Sequence, residues 1–425
     1  MIDSIMNVDS PSASRRNIRS LLRSTCCAVG IVVALTGQVF SEKALAEDVK
    51  AQELGAVSES VQAQLDSARS ELTRVAGEAS TNLVLSSGEG VSTQEVYHPG
   101  AQFIKVHIDQ LALSKGDKVV ITGSEGQKQI LKFRDNTAEG AWAISVMGDT
   151  ATITLKQAKR NAVAGKGASI NIDRYVHGYS NSEIAQHNPP VEETVCGRDD
   201  REEAACYRNS ESAAFQASRA VARLVMPCNE NGRGQMCTCT AWRVGPDSNT
   251  MITNNHCLAD ARQISRAEVR FNFQNSSCNG NNANSRQTIV TVDDILVTHY
   301  NLDMTLFTIN NANSVARFGS LNLEDRRPQR GEEIYIPQHP GGRDKEIAIF
   351  SDQNGGDYCT IARPVTNGRG RNTDMNYNCD TEGGSSGSPV LLRSTNTVIG
   401  LHHFGRCNNR AVRIDRIADV VAPYL

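Results

Sequence analysis

Thr381-Glu382-Gly383-Gly384-Ser385-Ser386-Gly387-Ser388-Pro389 runs directly into Val390-Leu391-Leu392. Glycines on both sides of Ser386 let the backbone turn tightly, lift one hydroxyl and aim successive N–H groups at a single point. The apolar run that follows reads as a buried strand that holds the turn rigid. A strand in this position argues against the strand-to-helix elbow that carries the nucleophile of an esterase with an α/β-hydrolase fold. A Gly/Ser-rich loop joining two strands fits the same letters, so the stretch needs chemical partners elsewhere in the chain.

A nucleophilic serine requires a base for its proton, a group that orients that base, and preorganised donors for the oxyanion. Met251-Ile252-Thr253-Asn254-Asn255-His256-Cys257 ends an apolar strand on a histidine whose neighbour is a cysteine. A disulfide at Cys257 would pin the backbone there, which gives His256 the best address for a fixed base. Leu302-Asp303-Met304-Thr305-Leu306-Phe307 sets a carboxylate at the mouth of a strongly apolar strand. Burying that carboxylate unpaired is costly, and an imidazole partner is a natural reason for it.

Together the three pieces resemble the chymotrypsin-like serine proteases, in which the chain order is His, Asp, Ser. Thr253 to Cys257 is similar to that family's Thr-Ala-Ala-His-Cys, Asp303 to Leu306 to its Asp-hydrophobe-Ala/Thr-Leu, and Gly384 to Pro389 to its Gly-Asp-Ser-Gly-Gly-Pro. The resemblance implies Ser386 as nucleophile, His256 as general acid/base, Asp303 as its orienting carboxylate, and the N–H groups of Gly384 and Ser386 as oxyanion hole. A closer resemblance is to bacterial lysyl endopeptidase precursors, carried by Val195-Cys196-Gly197, by Phe273-Gln274-Asn275-Ser276-Ser277-Cys278 and by the nucleophile loop. It implies Cys239–Cys257, Cys196–Cys407, Cys206–Cys278 and Cys359–Cys379 disulfides, and Cys228 with Cys237 is the pair that remains.

The substrate-binding candidates are Asp380, Thr381, Glu382, His402 and His403. Asp380 stands where trypsin-like enzymes keep the carboxylate for Lys or Arg, whereas Thr381 with His402 resembles the arrangement by which glutamyl endopeptidases hold an acidic side chain. The choice between them falls narrowly on a basic P1 residue. Where animal proteases carry an aspartate before the nucleophile, this chain has Ser385. A new N-terminus near Val191 would therefore find no carboxylate there to switch the catalytic loop.

Twelve cysteines occur, and all but Cys26 and Cys27 fall between Cys196 and Cys407. An even number confined to one part of an exported chain reads as a disulfide framework. Cys237-Thr238-Cys239 is too closely spaced for a zinc knuckle and has no matching second pair, so neither a metal nor a cofactor is expected. Export itself is read from Arg15, Arg16, Arg19 and Arg23, the apolar run Cys26 to Leu35, and the small residues Ala44-Leu45-Ala46. That run is too short to cross ~30 Å of hydrocarbon, so a secreted chain without a membrane span is expected once the signal is removed. Ser14-Arg15-Arg16 leaves the twin-arginine route open beside the general one. A formal net charge of -3 without a long basic tract gives no footprint for a nucleic acid.

The sequence thus predicts a signal peptide over 1–46, a helical and linker part of a prosegment over 47–94, a small β-sandwich over 95–179, and a linker over 180–190. The helix is read from Leu54, Val57, Val61, Leu65, Ala68, Leu72 and Val75, spaced in threes and fours. Five short alternating segments between Phe103 and Leu155 suggest the sandwich. Residues 191–425 form an all-β protease domain of two antiparallel barrels closed by a short helix around Ile414, Ile417, Ala418 and Val421. The function expected is a monomeric secreted endopeptidase acting on proteins or peptides and controlled by its own prosegment, which serves as a folding aid or as a plug over the active site. The competing reading is a secreted binding protein that has the protease fold and uses its sandwich to hold a glycan or a surface.

Overall fold

The computed structural model describes residues 72–87, 91–188, 195–229, 234–245, 249–280 and 287–425. The expected signal peptide, the helix as far as residue 71, the end of the linker and residues 191–194 lie outside the described residues. Among the described residues, no helix is long and apolar enough to cross a membrane.

Nine strands build the sandwich: β1 Thr73–Ser86, β2 Val91–Tyr97, β3 Phe103–Ala112, β4 Lys118–Gly123, β5 Lys128–Lys132, β6 Ala141–Trp142, β7 Val146–Met147, β8 Thr150–Lys156 and β9 Ser169–Gly178. One sheet has the order β1-β9-β3-β6, with β7 also on β3, and the other has the order β2-β8-β4-β5. Their inner faces enclose Leu83, Leu85, Ile104, Val106, Val119, Ile121, Ile153, Ile170 and Ile172. Alternation of these residues with polar ones is what a sheet with one solvated face requires.

Two expectations change here. Residues 73–86 and 91–97 are strands, so the sandwich begins at Thr73 and the helical pattern does not extend through Val75. Val75 and Ala76 are both buried because a register shift between Arg74 and Ala76 lets β1 leave one partner for another, and this mimics a helical step. The linker is also partly helical, since α2 spans Asn181–His187 after the shorter α1 at Lys159–Val163. Ser180 and Glu183 close a capping box at its start, a Ser-x-x-Glu signal that the polar composition concealed.

After β10, Glu202–Glu203, and the short helices α3 at Tyr207–Ser210 and α4 at Ser212–Ser218, the chain forms its first barrel. Its strands are β11 Val221–Pro227, β12 Met236–Arg243, β13 Thr250–Thr253, β14 Glu268–Phe271, β15 Thr288–His299 and β16 Met304–Ile309, with the one-turn α5, Ala261–Ile264, between β13 and β14. The order β11-β14-β15-β16-β13-β12 closes through β12 on β11. The second barrel comprises β17 Ile334–Gln338, β18 Glu346–Ala348, β19 Ile361–Thr366, β20 Asp374–Tyr377, β21 Pro389–Leu392, β22 Val398–Phe404 and β23 Asn409–Arg413. Ile334 N to Cys359 O (2.9 Å) and Ile361 N to Glu332 O (3.0 Å) close it. The terminal helix α6, Ile414–Val421, turns Ile414, Ile417, Ala418 and Val421 inward. A shared core of Trp242, Ile252, Leu306, Tyr335, Leu391, Leu401 and Val412 fills the seam between the barrels.

The sandwich is joined to the first barrel by pairing of β1 with β12 and by a buried charge cluster. Lys105 Nζ on β3 lies 2.7 Å from Glu268 Oε1 on β14, while Ser145 Oγ donates to Glu268 Oε2 at 2.7 Å. Arg270 reaches the same carboxylate at 3.1 Å and stacks over Phe103. Burial alone would raise the Glu268 pKa, but the Lys105 and Arg270 charges bring it down to about 2. A depressed carboxylate pKa adds stability above the ordinary value, and that stability is lost as pH falls from there towards 2. Glu268→Gln leaves Lys105 buried without its counter-charge and should cost about 3–5 kcal/mol at neutral pH. Denaturant unfolding of both proteins at pH 7 and pH 3 checks this: the wild type should lose more stability than the variant between the two.

Candidate active site

Of the residues singled out from the sequence, His256, Asp303 and His403 meet at the seam of the two barrels. His256 follows β13, whose four residues are wholly buried, and Asp303 precedes β16, which pairs with β13. The pairing Thr253↔Thr305 brings the two side chains together across neighbouring strand ends. Asp303 Oδ2 lies 2.9 Å and Oδ1 3.1 Å from His256 Nδ1, and Oδ1 also accepts the His256 backbone N–H at 3.0 Å. Asp303 has a left-handed backbone, φ 42°, which Asp tolerates better than most residues. Asn254, where the resembled family has Ala, donates from Nδ2 to the Asp303 carbonyl at 2.8 Å and supports that conformation.

Asp303 is held by more than His256. Arg369 approaches Oδ1 at 3.1 Å, and His403 Nδ1 donates to Oδ2 at 3.1 Å. The other His403 nitrogen, Nε2, donates to Asp374 Oδ2 at 2.7 Å. Burial of Asp303 would raise its pKa, yet the charges of His256 and Arg369 and the hydrogen bonds of both histidines hold it well below the usual carboxylate range. Burial would likewise lower the His403 pKa, and its bonds to Asp303 and Asp374 raise it instead. Both ring nitrogens of His403 are thus taken by carboxylates, which favour its charged form. Arg369 and Asp374 were not read from the sequence. No local pattern marked them, because the burial of Asp374 is a property of the fold and not of its neighbours in the sequence.

The loop expected to carry the nucleophile lies against the same strands. Ser386 O accepts from Thr240 N at 2.8 Å, and Thr240 Oγ1 donates to Gly384 O at 3.0 Å. A Cβ on Gly387 would lie 2.5 Å from Thr253 Oγ1, so the loop is pressed against the strand that leads to His256. Gly384 has φ +96°, and a Cβ there would lie 2.7 Å from the His339 carbonyl oxygen; both facts require glycine. Among the described residues, neither the Gly384 nor the Ser386 N–H donates to a protein acceptor. Ser385 Oγ donates to Gln338 Oε1 at 2.5 Å and accepts from Glu382 N at 3.2 Å, bracing the loop from behind.

The remaining candidates divide. Asp380 accepts backbone N–H bonds from Cys196 and Asp200, both at 3.0 Å, and so ties the start of the protease domain to the loop. Glu382 pairs with Arg343 at 2.7 Å and Arg201 at 3.1 Å. Thr381 and His402 are both buried, and Tyr377 Oη is hydrogen-bonded to His402 Nδ1. Disulfides join Cys196–Cys407, Cys206–Cys278, Cys228–Cys237, Cys239–Cys257 and Cys359–Cys379. Cys239, Cys257 and His256 cluster closely enough to suggest a metal site, but the two sulfurs are bonded to each other and supply no thiolate.

Residues 239–401 match the trypsin-like peptidase domain family. The chain belongs to the same family as the "Secreted RxLR effector protein 73" of Plasmopara viticola, with which it is 32% identical over 323 residues, covering 73% of this chain and 77% of the relative. Among solved structures, the Rv3671c protease from M. tuberculosis in its active form is 13% identical with a TM-score of 0.36, covering 55% of this chain and 93% of that one. Deg5 is also 13% identical, with a TM-score of 0.35, covering 50% of this chain and 93% of that one.

If His403 holds Asp303 in place through Asp374, then Asp374→Asn should act on turnover without touching substrate. A hydrogen bond to a charged group contributes about 1.5–3 kcal/mol, so kcat should fall about 10- to 100-fold with KM little changed. Steady-state kinetics on a peptide ester, with Asp303→Asn as the larger reference loss, measures it.

Proposed function

We propose that the protein is a secreted serine endopeptidase in which Ser386 attacks the peptide carbonyl, His256 carries the proton and Asp303 orients His256. The observation that carries this reading is the buried His256–Asp303 pair beside a glycine-framed loop whose Gly384 and Ser386 N–H groups have no protein acceptor. With Nδ1–H directed at Asp303, the His256 Nε2 is the basic nitrogen. It takes the Ser386 proton and later gives it to the leaving amine. The two N–H groups then meet the oxyanion, a contribution of about 2.7–4 kcal/mol for each donor. The five disulfides and the likeness to a Plasmopara viticola protein named as secreted support export.

The P1 preference follows from what each pocket candidate already holds. Asp380 would have to serve a basic residue, but its two backbone donors and its place behind the loop argue against that role. An acidic P1 residue is the better fit, with Thr381 and His402 as its partners. Burial, and then the neighbouring His403 charge, push the His402 pKa down to about 3, so the ring is neutral. Tyr377 is kept protonated by burial and by Asp374, and its hydroxyl is hydrogen-bonded to His402 Nδ1. A neutral His402 carrying its proton on Nε2 would be a donor suited to a substrate carboxylate.

Ser386→Ala should reduce turnover to a trace, leaving only what binding and oxyanion contacts supply. Cleavage of a peptide library followed by sequencing of the products should show Glu or Asp at P1. His402→Ala should cut kcat/KM for such substrates about 10- to 100-fold. Products ending in Lys or Arg would return the pocket to Asp380.

A further inference from the structure

Of the two proposed oxyanion donors, one is fixed within the nucleophile loop and the other from outside it. Ser385 O accepts from Ser388 N at 3.0 Å, whereas Gly383 O accepts from Gly341 N at 2.6 Å. The carbonyl and the N–H of a trans peptide point in opposite directions. The first bond therefore also sets the Ser386 N–H, and the second sets the Gly384 N–H. The peptide between Gly383 and Gly384 has no Cβ on either side to resist rotation of its plane, so its orientation depends on Gly341.

Gly341 lies in the tight turn Pro340–Gly342. At one end of the turn His339 N donates to Thr240 Oγ1 at 3.1 Å, and at the other Arg343 pairs with Glu382 at 2.7 Å. Between these ends the turn is held by packing. A Cβ on Gly342 would lie 2.8 Å from Val75 Cγ1, 3.1 Å from Arg223 Nη2 and 3.1 Å from Thr238 Cγ2. Arg223 and Thr238 belong to β11 and β12 of the barrel, whereas Val75 belongs to β1 of the sandwich. A Cβ on Gly383 would lie 2.6 Å from Thr73 Oγ1, so β1 also reaches the accepting end of the bond. Val75 is 1% exposed and packs in a cluster with Phe103, Met147, Val176 and Val225, while its carbonyl accepts from Tyr179 N at 2.9 Å.

We infer that strand β1 is a positioning element of the oxyanion hole: Val75 and Thr73 keep the Gly341–Gly383 hydrogen bond in place, and that bond aims the Gly384 N–H. The inference rests on the serine endopeptidase reading above, and both residues act through the bond, not on the substrate. The sandwich is then a working part of the active enzyme and not a segment discarded to expose the site. Drawing β1 away relaxes one donor while the His256–Asp303 pair stays intact. Such support suits a loop that carries Ser385 before the nucleophile, because it needs no freed amine.

The test compares the full-length wild type with Val75→Ala, which removes both γ carbons, and with Val75→Thr, which keeps their shape but buries a hydroxyl. Val75→Ala should lower kcat on a chromogenic peptide amide about 10- to 100-fold with KM little changed, because a displaced donor is missed in the transition state. Val75→Thr should melt at a lower temperature than the wild type yet keep kcat within about twofold of it. A peptide aldehyde on the same sequence reads the hole itself: Ser386 Oγ adds to the aldehyde carbon, its proton passes to His256, and the carbonyl oxygen becomes the oxyanion. Its Ki should rise in Val75→Ala by the factor by which kcat/KM falls, while the Ki of the matching peptide alcohol, which forms no oxyanion, stays constant. Thr73→Ala acts at the Gly383 end and should give the same split with a loss of about three- to tenfold, which decides the matter if Val75→Ala does not fold. Wild-type kcat in a folded Val75→Ala protein or, failing that, in Thr73→Ala overturns the inference. So does a loss in Val75→Thr equal to that in Val75→Ala, or an aldehyde Ki that stays constant while kcat falls. A wild type that turns over no peptide overturns the endopeptidase reading beneath it, and the inference with it.

Discussion

Asp303 is a charged carboxylate with no exposure to solvent, placed where two barrels meet. In so dry a site it stays ionised only because cationic and hydrogen-bonding groups converge on it from both barrels. His256 comes from the first barrel, and Arg369 and His403 from the second. Removing any of them leaves charge uncompensated, so the same cluster both fixes the imidazole and fastens the barrels to each other. His403 extends the arrangement to Asp374, which makes an alternating row of charges through the seam. The rigidity of His256 follows from that row together with the Cys239–Cys257 disulfide.

The nucleophile loop depends on the same seam from its other side. In the resembled animal enzymes an ammonium group released by processing pairs with an aspartate before the serine. In this chain the loop is braced by neutral hydrogen bonds of Ser385 with Gln338 and Glu382. The start of the protease domain is anchored instead by Asp380, through the backbone N–H groups of Cys196 and Asp200. Neither device uses a free amine. Strand β1 also comes close to this loop, with Thr73 beside Gly383.

The parts of the site that were legible in the sequence are those with local chemical grammar. A glycine-framed serine, a histidine beside a cysteine and an aspartate before an apolar strand each carry a signal within a few residues. Arg369 and Asp374 carry none, because their meaning arises only when β20 and β22 are brought beside Asp303. His403 was read as a pocket residue since adjacent histidines look alike in sequence. Alternation along β22 points one towards Tyr377 and the other towards Asp303. The two barrels and the closing helix were readable from apolar periodicity. Strand β1 was not, because its change of partners at Arg74 to Ala76 leaves three consecutive residues buried, Val75 to Gly77, and breaks the alternation.

The central claim is that Ser386 is made nucleophilic by His256 and Asp303, and covalent labelling reads this directly. The purified protein is treated with a fluorophosphonate, digested and mapped by mass spectrometry, in parallel with His256→Ala and Asp303→Asn. The account predicts one adduct, on Ser386, that is lost in His256→Ala and strongly slowed in Asp303→Asn. An unlabelled wild type, an adduct on Ser385 or Ser388, or equal labelling of Ser386 in all three proteins would contradict it.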